Sequence, residues 1–212
     1  MATLPVLYSY FRSSSSFRVR IALNLLRIPH KIVPVNLLKS EQISSGHLSL
    51  NPEGKVPMLV TGDVVMTQSI AIIDYIDRFE HLLIPVEEIS RSRVLAAAMI
   101  CTADIQPLHN VGVLRSLQVD DRAPWSLWAT RKGLASFSAH SEKYGDGRFC
   151  IGDKISLADV CLAPQIYSAE RFGIDVVKEF PLLARINANL MEMEEFRAAH
   201  PHAQDDCPQE FI

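Results

Sequence analysis

The chain changes its hydrophobic rhythm once. Up to about residue 80, short apolar runs alternate with helical periods. Val6 to Tyr10 is apolar and short, the pattern of a buried strand. Phe17 to Leu26 repeats its apolar residues at helical spacing, with Arg18 and Arg20 off the apolar face, and Pro29 and His30 end it. Lys31 to Val35 is β-branched, and Pro34 places it at a sheet edge or at a strand end. Gln42 to Leu50 is weakly helical. Val56–Val60 and Val64–Met66 flank Thr61-Gly62-Asp63, a hairpin pattern. Ser69 to Phe79 is a helix with Ile70, Ile73 and Ile76 on one face and Ile72 beside it. The order is βαβ followed by αββα.

A stretch from His81 to Glu88, with Pro85 and acidic residues, reads as a linker. Beyond it strand patterns stop. Helices are expected from Ser90 to about Leu117, Trp125 to about Lys143, Ser156 to about Phe172 and Leu182 to about His200. Ser156 and Asp159 have the spacing of a capping box at a helix start. The expected organisation is an α/β domain over residues 1–84 and an all-α domain over residues 89–212.

Composition narrows the function classes. Of 212 residues, 48% are hydrophobic, enough to bury a sizeable core. The net charge of −3 gives no electrostatic case for nucleic acid or for an anionic membrane. No apolar run is long enough to span a bilayer, and the N-terminus has no secretory pattern. Cys101, Cys150, Cys161 and Cys207 show no metal-ligand or CxxC spacing, so no metal is expected. Free thiols suit a reducing, cytoplasmic setting.

The chemistry concentrates in Arg12-Ser13-Ser14-Ser15-Ser16-Phe17, between the first strand and the first helix. A helix N-terminus presents free N–H groups and the positive end of the macrodipole, and a serine hydroxyl adds one more donor. A thiolate held there has a lowered pKa. Serines before a helix also serve as N-caps, so both roles stand open for this run.

The order of elements, with Val56-Pro57 before the third strand, Gln68-Ser69 before the last helix of the α/β half, and Gly152 to Asp159 at a helix start, resembles a cytosolic glutathione transferase, thioredoxin-like half first. The match covers almost the whole chain. Tyr8 to Leu23 is similar to the signature of the zeta class, as are Ile105 to Asn110 and Ala169 to Phe172. Two positions depart from that signature: Ser15 stands where a cysteine is usual and Phe17 where a tryptophan is. The missing cysteine argues against thiol–disulfide exchange.

The resemblance implies glutathione as cofactor. Ser13 is the position that activates its thiol, with Ser14 as the neighbouring candidate. Val56 offers backbone groups to the cysteinyl part, beside Pro57, a cis proline in the family. Gln68 and Ser69 hold the γ-glutamyl carboxylate, and Gln42 reaches the glycyl one. Gln106 and Asn110, one turn apart on the first long helix, face the cleft from the second domain. Arg12 and Arg171 take substrate carboxylates, since a guanidinium pairs two oxygens at once.

The implied activity is cis–trans isomerisation of maleylacetoacetate in aromatic amino acid catabolism, by reversible thiolate addition. Alternatives are maleylpyruvate isomerisation, and general conjugating transferase or peroxidase activity. Val111 and Gly112 follow Asn110, where glutathione-dependent maleylpyruvate isomerases carry arginines. A homodimer is also implied by the resemblance.

Overall fold

The computed structural model describes residues 4–211, so the outermost residues of both expected domains lie outside the described part. Two compact units are formed. One comprises the chain to Glu80 together with everything from Met193 onward, and the other runs from His81 to Glu192.

In the first unit, β1 (Val6–Ser9) is followed by α1 (Ser14–Leu25), β2 (Lys31–Pro34), α2 (Ser45–Leu50), β3 (Met58–Thr61), β4 (Val64–Thr67) and α3 (Ser69–Asp77). The sheet order is β2-β1-β3-β4. β1 pairs parallel to β2, Val6 opposite Lys31, and antiparallel to β3, Val6 opposite Val60. β3 and β4 form the expected hairpin, Thr61 opposite Val64. β2 is an exposed edge, as Pro34 required. Leu7, Met58 and Leu59 of the sheet are fully buried, with Ile21 and Leu23 of α1 and Ile72 and Ile73 of α3.

Two features differ from the sequence pattern here. The weak helix begins only at Ser45, after short 3-10 turns at Leu37–Lys39 and Glu41–Ile43, because the Ser44 hydroxyl accepts from the His47 N–H at 3.4 Å and sets the start. Arg18 and Arg20, expected off the apolar face, are buried to 2% and 1% exposure. The cause is tertiary. α1 is packed by α3 and also by α10 (Glu194–Ala199), which returns from the end of the chain. Arg20 answers with donors to Ala199 O (2.9 Å), Phe11 O (3.0 Å) and Ser9 Oγ (3.0 Å).

The second unit is helical: α4 (Glu88–Met99), α5 (Val111–Ser116), α6 (Val119–Tyr144), α7 (Leu157–Arg171), α8 (Val176–Glu179) and α9 (Pro181–Met191). The helix expected to run from Ser90 to Leu117 is broken. It widens into a π turn at Ile100–Ile105, tightens into a 3-10 turn at Gln106–His109, and restarts as α5. Pro107 has no N–H to give, and the Asn110 side chain caps the new start. α7 starts as expected. The Asp159 carboxylate accepts from Ser156 N and from Cys150 N, each at 2.8 Å. The last expected helix is also two, α9 and α10, and only α9 belongs to this unit. The expected all-α span 89–212 is therefore shorter here, because the final stretch buries Phe196 and Ala199 against the α/β unit. Among the described residues no helix is long and apolar enough to cross a membrane.

Candidate functional site

The β1–α1 turn carries the first group of candidate residues. The Ser13 N–H donates to Tyr10 O at 3.0 Å, closing the turn. Ser13 is the N-cap of α1, with extended backbone, and its Oγ accepts from Ser16 N at 3.2 Å. A hydroxyl keeps its proton for donation while a lone pair accepts. The cap and the donor role are thus compatible in one side chain. Ser14 is the first residue of α1 and is half-buried. Ser15, the substituted cysteine position, is engaged elsewhere: its Oγ accepts from Arg18 Nη2 at 2.8 Å.

Arg18 also donates from Nε to Ser69 Oγ at 3.1 Å. One buried guanidinium therefore joins the N-termini of α1 and α3. The sequence offered no cue for this, because its period placed Arg18 outside the core. Ser69 opens α3 and is buried, while Gln68 before it has φ 65°, a conformation that costs a non-glycine residue about 1–3 kcal/mol. The Gln68 side chain donates to Glu53 Oε2 at 2.5 Å, and Thr67 Oγ1 donates to the other oxygen at 3.1 Å.

The Val56–Pro57 peptide bond is cis. Val56 precedes β3, and among the described residues no backbone hydrogen bond uses its N–H or C=O. Gln42 lies in the Glu41–Ile43 turn with its Oε1 buried and lacking a hydrogen-bond partner among the described residues.

Arg12 is half-buried. Its guanidinium carbon stands 5.8 Å from the Phe11 ring centre and 5.4 Å from that of Phe211. It borders a cavity of about 330 Å³ whose other walls include Asn36, Leu38, Asp206 and Phe211. Sequence reasoning missed Asp206 and Phe211. Beside them, burial and then the Asp206 carboxylate push the Cys207 thiol up, against the opposing pull of Arg12.

The remaining candidates belong to the helical unit. Gln106 begins the 3-10 turn and Asn110 caps α5, its Oδ1 accepting from Gly112 N at 3.4 Å. They do not share one helix, as the sequence period had suggested, because the helix breaks there. Arg171 ends α7, exposed, with its guanidinium carbon 5.8 Å from the Tyr167 ring and 5.7 Å from the Phe172 ring. His109, which its sequence context did not single out, is buried, with Nε2 2.9 Å from the Gln165 amide nitrogen and its ring 5.1 Å from that of Phe172.

Comparison with known proteins identifies the family of both units. Residues 6–78 match the family model described as glutathione S-transferase, N-terminal domain, and residues 120–194 match glutathione S-transferase, C-terminal domain. Maleylacetoacetate isomerase of Rattus norvegicus is 40% identical over 210 residues, covering 97% of this chain and 96% of the relative. A holo structure of maleyl pyruvate isomerase, a bacterial zeta-class glutathione S-transferase, superposes with TM-score 0.90 at 35% identity, covering 96% of this chain and all (100%) of that one. Maleylacetoacetate isomerase from Anaeromyxobacter dehalogenans 2CP-1, with glutathione bound in its active site, gives TM-score 0.88 at 35% identity over 98% of this chain and 100% of that chain.

Proposed function

The chain belongs to the zeta class of glutathione transferases, and from that membership we propose that it is a glutathione-dependent cis–trans isomerase acting on maleylacetoacetate. The observation that carries the reading is the Ser13 cap, which leaves a hydroxyl proton at the start of α1.

Three features of the first unit fit glutathione. The Ser13 hydroxyl and the α1 N-terminus suit a thiolate. The Val56 N–H and C=O are open to pair with a peptide-like backbone, as an added strand would. Gln42, whose side-chain NH2 can donate to the glycyl carboxylate, also has a buried, unpartnered Oε1 that an amide N–H of the tripeptide satisfies. When bound, glutathione supplies a thiolate that adds to the conjugated cis double bond, allows rotation about the resulting single bond, and leaves to restore the alkene in trans.

The protein's part is electrostatic and positional. Ser13, with Ser14 next to it, holds the thiol's proton equilibrium toward the anion. Ser69 and Gln68, at the start of α3, receive the γ-glutamyl carboxylate. Arg12 takes a substrate carboxylate with a planar pair of donors, and Arg171 is assigned the same role in the helical unit. Gln106 and Asn110 are assigned to the cofactor side of that unit. Such groups stabilise charge developing on the substrate without having to reorganise.

Likeness to the maleylpyruvate isomerase structure supports a second reading, the same chemistry on a shorter acid. Val111 and Gly112 count against it, since they open α5 without a charge after Asn110. A homodimer and a cytoplasmic location complete the proposal. The four cysteines, all free and buried, suit a reducing compartment.

The test is ultraviolet-monitored turnover of maleylacetoacetate and of maleylpyruvate, with and without glutathione, for wild type and Ser13→Ala. Glutathione-dependent conversion of the longer acid that collapses in the variant is the expected result. Preference for the shorter acid favours the second reading. Tight glutathione binding without either conversion refutes the isomerase assignment and leaves a conjugating transferase.

A further inference from the structure

The end of the chain comes back to the β1–α1 turn. Phe11, directly before Arg12 and Ser13, has both backbone polar groups held. Its N–H donates to Asp206 Oδ2 at 2.9 Å, a contact spanning 195 positions of sequence. Its C=O accepts from Arg20 Nη2 at 3.0 Å, while Arg20 Nε holds Ala199 O at 2.9 Å. Cys207 packs into an apolar cluster with Tyr10, Phe11, Val35 and Val56. Phe211 lies 6.0 Å from the Phe11 ring, centre to centre, and 5.4 Å from the Arg12 guanidinium carbon.

We propose that Asp206 and Phe211 are positioning residues for the isomerase site, with Asp206 fixing the turn that presents Ser13 and Phe211 holding the Arg12 guanidinium beside its cavity. This rests on the function proposed above. The turn's other bonds come from its own residues and from α1: Ser13 N–H donates to Tyr10 O, Ser16 N–H to Ser13 Oγ, and Arg20 to the Phe11 C=O. The Asp206 carboxylate supplies the long-range anchor, at a residue two positions before the thiol-activating serine. An amide-to-carboxylate hydrogen bond is stronger than a neutral one and has a defined direction. Misplacing a catalytic group by about 1 Å costs on the order of 100-fold in rate. Phe211 acts on the Arg12 side chain. Its ring and that of Phe11 both stand within cation–π range of the Arg12 guanidinium carbon, at 5.4 and 5.8 Å, which narrows the orientations in which Arg12 meets a carboxylate.

The experiment uses the full-length chain as wild type, Asp206→Ala, Asp206→Asn and Phe211→Ala, with folding checked by thermal melting. Thiol ionisation of bound glutathione is read from thiolate ultraviolet absorption against pH, which needs no substrate. Turnover of maleylacetoacetate is then separated into kcat and KM. Asp206→Ala is expected to raise the bound thiol's pKa and to lower kcat about 10- to 100-fold. Asp206→Asn keeps an amide oxygen as acceptor and is expected to recover most of both. Phe211→Ala, with its side chain 40% exposed, is expected to raise KM several-fold and leave the thiol's titration unchanged. A folded Asp206→Ala protein with wild-type thiol titration overturns the assignment to Asp206, whatever the substrate. Should Asp206→Ala not fold, an unchanged KM in Phe211→Ala overturns the proposal. If wild type titrates the thiol but turns over no substrate, the function is wrong while the Asp206 arm still reads out.

Discussion

Ser13 does two jobs that substitution can separate. As N-cap it accepts from Ser16 N at 3.2 Å; as donor it is assigned to the cofactor's thiolate. Ser13→Ala removes both. Loss of a serine cap costs about 1 kcal/mol, which for a chain of this size lowers Tm by roughly 2–4 °C. Loss of one hydrogen bond to an anion costs about 1.5–3 kcal/mol, equivalent to roughly a 10- to 150-fold fall in kcat/KM. Ser13→Asp keeps the cap, because aspartate accepts from the same N–H, and its charge suits the helix dipole by about 0.3–1 kcal/mol. It has no proton to give at neutral pH and sets a like charge against the thiolate. Its Tm is therefore expected at or slightly above that of wild type, while activity falls further than in Ser13→Ala and the bound thiol's pKa rises. Calorimetry and thiolate absorption against pH measure the two effects on the same samples. Wild-type turnover in a folded Ser13→Asp protein would refute the donor role. The same activity profile in Ser14→Ala, with Ser13 variants unaffected, would move that role one residue along.

Two further predictions concern stability. Asp159→Ala leaves the buried Cys150 and Ser156 N–H groups without their acceptor, at about 1–3 kcal/mol each. Burial pushes the Asp159 pKa up, so removing the carboxylate also relieves a desolvation cost, and the net loss is expected at roughly 2–5 kcal/mol by urea unfolding, with about half of it in Asp159→Asn. A change below about 0.5 kcal/mol in Asp159→Ala, the range of an ordinary surface substitution, would show that the helix start does not depend on this carboxylate. His200 is held down to about 4, first by burial, then by His202 and Arg20. Its folded form resists a proton that the unfolded chain accepts near 6.5, so the fold loses stability as pH falls from about 6.5 to about 4. The side chain is half-buried, and the loss is on the order of 1–2 kcal/mol after screening. His200→Asn is expected to flatten that slope in thermal melts taken across this range, and an unchanged slope would contradict the assignment.

Much of this protein is written locally. β1, β3, β4 and α3 follow from apolar runs and turn residues, the start of α7 from Ser156 and Asp159, and the serine cap of α1 from the hydroxyls before Phe17. These depend on neighbours a few residues away, so the sequence contains their cause. The positions of the family motif residues in the α/β unit were legible for the same reason: Ser13 and Ser69 stand at helix starts and Val56-Pro57 just before a strand, which local pattern marks. What the sequence could not decide depends on partners far along the chain. The period of α1 showed one apolar face and put Arg18 and Arg20 outside it. They are buried because α3 covers one side of the helix and α10 another, and their donors meet Ser69 Oγ and Ala199 O. The break after Met99 went unread because the apolar spacing runs through it, while Pro107 and the Asn110 cap favour a restart. The final residues read as the tail of a helical domain, and only the tertiary structure brings Asp206 to Phe11 and Phe211 to Arg12. A hydrogen bond across 195 positions leaves no periodic trace, since either residue looks ordinary beside its own neighbours.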